Sequence, residues 1–347
     1  MTAPITFGLG LLPQYPPEQF VRLVRQAEAR GFDCIWVPDE RFYRECYAYL
    51  TLCAVNTERV RMGPCVTDPY TRHPALTAMA MGTVDEASGG RAVLGIGAGA
   101  SGMDALRLPR TKPAVALREA VGLMRRLWAG EEVTVEGEVI SFTKGRLNFT
   151  ARPDIPIYIA GRGPKILELA GEIGDGVIIG ALASPPTLGY AMAHIAKGRA
   201  RGKPRSRPQD ITLWLHTAIG ADGAAARDAV RRIVVGVLIS SLPVLDELGV
   251  DLPGPLRDRL GRITYGVQSR EMIEAAALVP DDVLAHFTMA GHGMFCRERV
   301  GQLARGGVTH VAVLPWLLPG QTIEDFVDVF AAELIVPRRA AETTGRG

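Results

Sequence analysis

Asp39 and Glu40 stand side by side where an apolar run, Cys34-Ile-Trp-Val-Pro-Asp39, gives way to the polar stretch Arg41 to Glu45. Adjacent carboxyls at a strand end can hold or exchange a proton beside a ligand, burial beside one another keeping one of them protonated. The same two residues can instead pair with Arg41 and Arg44 or cap the next helix. They are the candidate acid–base pair. A second chemistry-bearing stretch is Gly161-Arg-Gly-Pro-Lys165, where a strand ends, glycines turn the chain, and Pro164 sits at the first position of a helix. Free amides at such a start, at the positive end of the helix dipole, make an anion site, and Arg162 and Lys165 add charge. Gly161, Arg162, Gly163, Pro164 and Lys165 are therefore read as a phosphate-holding turn, the plain alternative being an ordinary glycine-punctuated strand–helix connection.

Two further stretches invite chemistry and resolve differently. Gly97-Ala-Gly-Ala-Ser-Gly102 fits the GxGxxG spacing, but Met103–Pro113 behind it holds two prolines and no clear helix on which a pyrophosphate would sit. Gly97, Ala98 and Gly99 read better as bare backbone that a flat ligand can approach. In Cys65-Val-Thr-Asp-Pro-Tyr-Thr-Arg-His-Pro74 a lone cysteine reads as packing, since nothing orients His73 toward it as a base. The remaining histidines (194, 216, 286, 292 and 310) lack metal-ligand spacing, so metal catalysis is not expected.

These residues need strands to hold them, and the chain supplies eight apolar runs: 5–10, 34–39, 60–67, 92–99, 155–161, 176–181, 211–217 and 310–316. They lack strict alternation, as strands buried on both faces do, and helical sequence separates them. Eight such units predict an α/β fold, the closed (β/α)₈ TIM barrel, whose chemistry lies at the carboxyl ends of its strands. The helices are expected at Pro16–Arg30, Pro74–Ser88, Pro113–Ala129, Pro164–Gly171, Pro186–Gly198 and Arg297–Arg305, with proline at their starts and glycine after several ends. Glu132–Phe149 alternates with period two and predicts a hairpin on the outside of the barrel. Residues 244–296 exceed what a connection needs and predict a helical insertion between strands seven and eight that caps the mouth. One domain over residues 1–337 and a frayed tail over 338–347 complete the expected organisation.

Composition narrows the function. A chain of 347 residues with 47% hydrophobic content can bury a large core, and a net charge of +2 gives no basis for electrostatic capture of nucleic acid or membrane. The basic run Lys197–Arg207 reads as a solvated helix end. Five cysteines, at 34, 46, 53, 65 and 296, are odd in number and show no CxxC spacing, which suits a reducing compartment. With no signal-like start and no apolar run of bilayer length, the expected location is the cytoplasm.

Four segments, VPDERFYRE, GPCVTDPYTRHP, SGGRAVLGIGAG and GRGPKILELAGEIGDGV, resemble the bacterial-luciferase-like superfamily. More narrowly they are similar to its coenzyme F420-dependent branch, typified by methylenetetrahydromethanopterin reductase. The resemblance spans about residues 3–185 and, more loosely, 302–330. It implies a deazaflavin ring across the barrel mouth, a non-prolyl cis peptide at Cys65-Val66 backing that ring with Thr67 beside it, and Asp39 near the ring. It places Glu40 where sugar-phosphate dehydrogenase relatives carry a histidine, which makes Glu40 a candidate proton donor. Gly161 to Lys165 match the phosphate turn and Gly97 to Gly99 the strand-four approach. Arg107, Arg110, Lys112, Arg162 and Lys165 are expected to attract the cofactor's oligoglutamate tail. Tyr43, Arg72, His216 and Trp316 are expected to line the substrate pocket. The implied activity is hydride transfer to or from a small organic C=C, C=N or carbonyl substrate. FMN-dependent monooxygenation and a non-catalytic flavin-binding barrel are the alternatives, and a homodimer is the implied assembly.

Overall fold

The computed structural model describes residues 5–99, 103, 105–263 and 270–338. Ala100, Ser101 and Gly102 of the glycine motif, part of the expected insertion and nearly all of the expected tail therefore lie outside the described residues. The first half of the chain alternates as the apolar runs predict: β1 (Thr6–Gly10), α1 (Pro17–Arg30), β2 (Cys34–Val37), α2 (Cys46–Asn56), β3 (Arg61–Pro64), α3 (Pro74–Ser88), β4 (Leu94–Gly97) and α4 (Pro113–Trp128). A small antiparallel pair follows, β5 (Val133–Glu136) with β6 (Ser141–Gly145). The second half runs β7 (Ile157–Gly161), α5 (Pro164–Ile173), β8 (Gly176–Gly180), α6 (Pro185–Arg201), β9 (Asp210–Ile219) and α7 (Gly223–Ser241). Short helices α8 (Gly254–Leu260), α9 (Arg270–Ala276) and α10 (Asp281–Phe287) precede β10 (Thr288–Gly291), α11 (Gly293–Arg305), β11 (His310–Pro315) and α12 (Ile323–Phe330). Prolines open α1, α3, α4, α5 and α6, and Gly31 and Gly89 end α1 and α3 with positive φ of 93° and 67°, a conformation that costs glycine nothing.

The parallel sheet runs in the order β3-β2-β1-β11-β9-β8-β7-β4. Bridges Met62↔Ala92 and Thr67↔Ile96 join β3 to β4 and bring the eight strands round into a TIM-barrel-like fold. Between those bridges lies the non-prolyl cis peptide Cys65-Val66. Gly63 and Gly95 let the two strands approach there: a Cβ on Gly63 would stand 1.8 Å from the Val93 carbonyl oxygen, and one on Gly95 2.3 Å from that of Pro64.

The amino-terminal end of the barrel is filled. Trp36 and Tyr158 are fully buried across from Gly8 and Gly176, whose missing Cβ atoms would fall 2.7 Å and 2.6 Å from those rings. Trp36 Nε1 donates to His310 Nε2 at 3.1 Å, and His310 Nδ1 lies 2.7 Å from Thr6 Oγ1. Burial, aided by the Arg61 and Arg338 charges, pushes the His310 pKa down to about 3, so the ring is a neutral acceptor. This end is filled, so a ligand is expected at the carboxyl end.

The region between β9 and β11 differs from the helical insertion expected over 244–296. It contains a strand, β10, parallel to the second half of β9 from His216 to Ile219. The ten-residue β9 pairs β8 with its first half and, beyond the end of β8, pairs β10. On this extension Ala218 and Ala290 pack with Ala226 and Val230 of α7 in a cluster apart from the main core. A four-residue strand within helical sequence carries too little periodicity to be legible alone. Among the described residues no helix is long and apolar enough to cross a membrane.

Candidate active site

A cavity of about 940 Å³ opens at the carboxyl end of the barrel, at the upper end of the range for ligand sites. Asp39, Glu40, Cys65, Val66 and Gly97–Gly99 line it from one set of strand ends, and Gly161–Gly163 from another. Ten residues named from the sequence thus share one space.

Asp39 and Glu40 are half-buried at the end of β2. Thr67 Oγ1 donates to Asp39 Oδ2 at 2.7 Å, and Thr67 itself is fully buried behind the cavity wall. The neighbouring side chains also have partners beyond the acidic pair. Arg41 pairs with Asp68, Arg44 donates to the Gln14 carbonyl at 2.7 Å, and Glu45 caps α2 by accepting the Ala48 amide at 2.7 Å. The arrangement leaves Asp39 and Glu40 in the wall of a space able to hold a ligand, which suits groups that handle a proton.

At the end of β7 the chain enters α5 through Gly163, an N-cap with φ −74° and no side-chain cap bond. Among the described residues, a Cβ on Gly163 would meet nothing within 4 Å. The helix start therefore faces open cavity, as an anion site requires. Pro164, half-buried, supplies the first helical residue without lining the cavity. Lys165 is exposed and turns to a separate groove of about 370 Å³ between α4 and α5.

Arg162 lines the cavity, but its side chain serves the protein. Its Nε donates to the Gly180 carbonyl at 2.9 Å, and Nη1 donates to Ser240 Oγ at 2.6 Å, Ser241 Oγ at 2.9 Å and the Val237 carbonyl at 3.2 Å. It fastens the last turn of α7 to the rim, a cation at a helix C-terminus. Ile239 and Ser240 of that turn thereby become cavity wall. Among the described residues none of 244–296 lines the cavity; those helices pack on α7 instead, so the expected cap is supplied by α7. The other rim cations are also engaged or turned outward. Arg110 donates to the Gly99 carbonyl at 2.7 Å, Lys112 pairs with Glu138 at 2.5 Å, and Arg107 is exposed at φ 54°.

The four residues expected to line the substrate pocket lie outside the cavity lining. Tyr43 is 47% exposed on the rim. Arg72 pairs with Glu45 at 2.6 Å and lies 4.5 Å over the Tyr47 ring. His216 is buried, and its Nδ1 accepts from Trp316 Nε1 at 3.0 Å. Burial and the Arg162 charge push its pKa down to about 3, so it is a neutral acceptor fixed to Trp316. In their place Trp214, two residues earlier on the same face of β9, lines the cavity with Ile178, and a Cβ on Gly10 would stand 2.6 Å from its ring. Strand alternation could have paired Trp214 with His216 in the sequence. Nothing local pointed to Met103, Leu108 or Ile239, which are also cavity lining.

A family model described as luciferase-like monooxygenase matches residues 1–310. A 5,10-methylenetetrahydromethanopterin reductase of Methanolobus tindarius is 35% identical over 310 residues, covering 88% of this chain and 93% of that protein. An F420-dependent glucose-6-phosphate dehydrogenase of Beutenbergia cavernae is 29% identical over 348 residues, covering 95% and 96%. The solved coenzyme F420 dependent tetrahydromethanopterin reductase from Methanopyrus kandleri superposes with a TM-score of 0.84 at 29% identity, over 96% of this chain and 99% of that one. The strand order, the cavity and these matches agree: the chain belongs to the luciferase-like monooxygenase family.

Proposed function

We propose that this protein is a coenzyme F420-dependent oxidoreductase that transfers a hydride between the reduced deazaflavin and a small organic substrate bearing a C=N, C=C or carbonyl group. The observation that carries this reading is an open cavity that joins the acidic pair to an uncapped helix start, in a chain whose relatives are F420-dependent reductases and dehydrogenases. The residues present fit the group. Gly163 leaves room for a phosphate against α5, while Gly97, Ala98 and Gly99 with Val66 offer a wall without bulky side chains to a flat ring.

When bound, coenzyme F420 supplies the hydride chemistry. The chain's own residues do the rest. The amides at the start of α5 bind the phosphate. Trp214, Ile178 and Val66 line the site with apolar surface and limit water around the reacting atoms. Glu40 delivers the proton that a reduction requires, and Asp39, whose carboxylate accepts the Thr67 hydroxyl, stands beside it in the cavity wall. Binding in a fixed pose lowers the barrier by orientation.

Titrating the purified protein with coenzyme F420 and with FMN tests the cofactor. Coenzyme F420 is expected to bind at least about tenfold more tightly, a difference of about 1.4 kcal/mol; tighter FMN binding would transfer the protein to the monooxygenase reading. The first acceptor to try is 5,10-methylenetetrahydromethanopterin, the compound in the relatives' names, then simple enones and ketones.

The finer reading of assembly is a homodimer in the cytoplasm. Val55 on α2, and Leu76 and Met79 on α3, are 63%, 49% and 45% exposed on neighbouring helices that are apolar inside as well, a pattern that suits coverage by a second copy. Light scattering should give twice the chain mass, reduced to the monomer by Leu76→Glu with Met79→Glu; a monomeric wild type rejects the dimer. Five free, buried cysteines suit a reducing compartment.

A further inference from the structure

Inside the cavity wall lies an ion pair that the acid–base reading does not use. Arg41, in the connection after β2, pairs with Asp68, in the connection after β3, and their side chains are only 11% and 1% exposed. Asp68 Oδ1 accepts the amides of Tyr70 and Thr71 at 2.8 Å each, and Oδ2 accepts the Thr71 hydroxyl at 2.8 Å. Arg41 also donates to Thr71 Oγ1 at 3.0 Å and to the Asp39 carbonyl. The loop after β4 closes on the same group: a Cβ on Gly99, whose φ is +66°, would stand 3.1 Å from Asp68 Cβ and Cγ. One pair thus joins three strand-end loops.

Burying two charges is unfavourable, and well-packed apolar residues of similar volume often serve stability as well or better. What an apolar pair cannot do is grip a carbonyl in a fixed direction. The guanidinium grips the carbonyl of Asp39, one residue from Glu40 and on the residue whose carboxylate Thr67 holds. We propose that Arg41 and Asp68 are positioning residues that fix the Asp39–Glu40 turn against the loops after β3 and β4, so that the carboxyls meet the reacting end of the substrate in one orientation. The proposal rests on Asp39 and Glu40 being the proton-handling pair of the function proposed above. A plain structural role predicts that any substitution restoring stability restores activity. A positioning role predicts that stability and turnover separate.

The test is the double variant Arg41→Met with Asp68→Asn, which leaves no lone buried charge and keeps an oxygen to accept the Tyr70 and Thr71 amides, beside Arg41→Lys, which keeps the charge but loses the planar fork. Both are assayed as full-length protein for melting temperature, coenzyme F420 binding, oxidation of reduced F420 by 5,10-methylenetetrahydromethanopterin, and amide hydrogen exchange. The double variant should melt within about 3 °C of wild type and bind the cofactor within about threefold. Its kcat should fall about tenfold to a hundredfold with KM changed less than about threefold, and exchange over residues 38–45 should rise while β7 and β8 keep their protection. Arg41→Lys should fall between the two. Wild-type kcat with wild-type exchange over 38–45 in the double variant overturns the proposal, and the same result in Arg41→Lys does so if the double variant does not fold. A wild-type protein that neither binds nor oxidises the cofactor defeats the functional reading instead, and the exchange measurement still decides whether the pair fixes the turn.

Discussion

Gly163→Val should raise the dissociation constant for coenzyme F420 by about tenfold to a hundredfold, the loss of one charge-assisted bond of about 1.5–3 kcal/mol, with the melting temperature nearly unchanged. The two halves of that expectation have separate causes. Gly163 sits at φ −74°, ψ 152°, an extended conformation that valine adopts readily, and a Cβ there meets no atom of the described residues within 4 Å. The fold therefore has no use for the missing side chain. The isopropyl group would stand in the way of what approaches the start of α5 from the cavity, which the anion-site assignment says is the cofactor phosphate. Fluorescence titration gives the answer directly. Wild-type affinity in a folded Gly163→Val protein would show that the phosphate sits elsewhere.

Glu40→Gln should lower kcat at least about tenfold and leave coenzyme F420 affinity within about twofold. Proton transfer by a placed side chain typically contributes 10²–10⁴-fold, and glutamine keeps the size and polarity of Glu40 while removing the transferable proton. The structure sharpens the contrast with Asp39. The Asp39 carboxylate accepts the Thr67 hydroxyl, a contact to the cavity wall that its substitution disturbs. Single-turnover oxidation of reduced cofactor by 5,10-methylenetetrahydromethanopterin separates chemistry from binding, and an unchanged rate there removes Glu40 from the proton path.

The residues that could be named in advance obey local rules. Pro164 after Gly163 announces a helix start because proline has no amide to leave unsatisfied there. The eight apolar runs announce a barrel because only strands covered on both faces read that way. Residues whose roles depend on partners far along the chain were opaque or misassigned. Arg162 has the sequence context of a phosphate ligand, yet Ser240 and Ser241, nearly eighty residues later, take its guanidinium. Arg41 looked like a partner for the acidic pair, and Asp68 claims it. His216 and Trp214 share one strand face; β10 and α7, built from sequence without a clear period, leave Trp214 in the cavity and His216 bonded to Trp316.

By itself, then, the sequence determined the eight-unit barrel, the end at which the cavity opens, and the acidic and glycine-rich strand ends that meet there, since periodicity and backbone rules act over a few residues. Tertiary structure alone decided which charges face a ligand and which are consumed by the protein, because an arginine takes the nearest acceptors in space, and sequence distance says nothing of them. The same holds for the far wall of the cavity: Arg162 draws the last turn of α7 into it, a contact between segments with no shared local pattern.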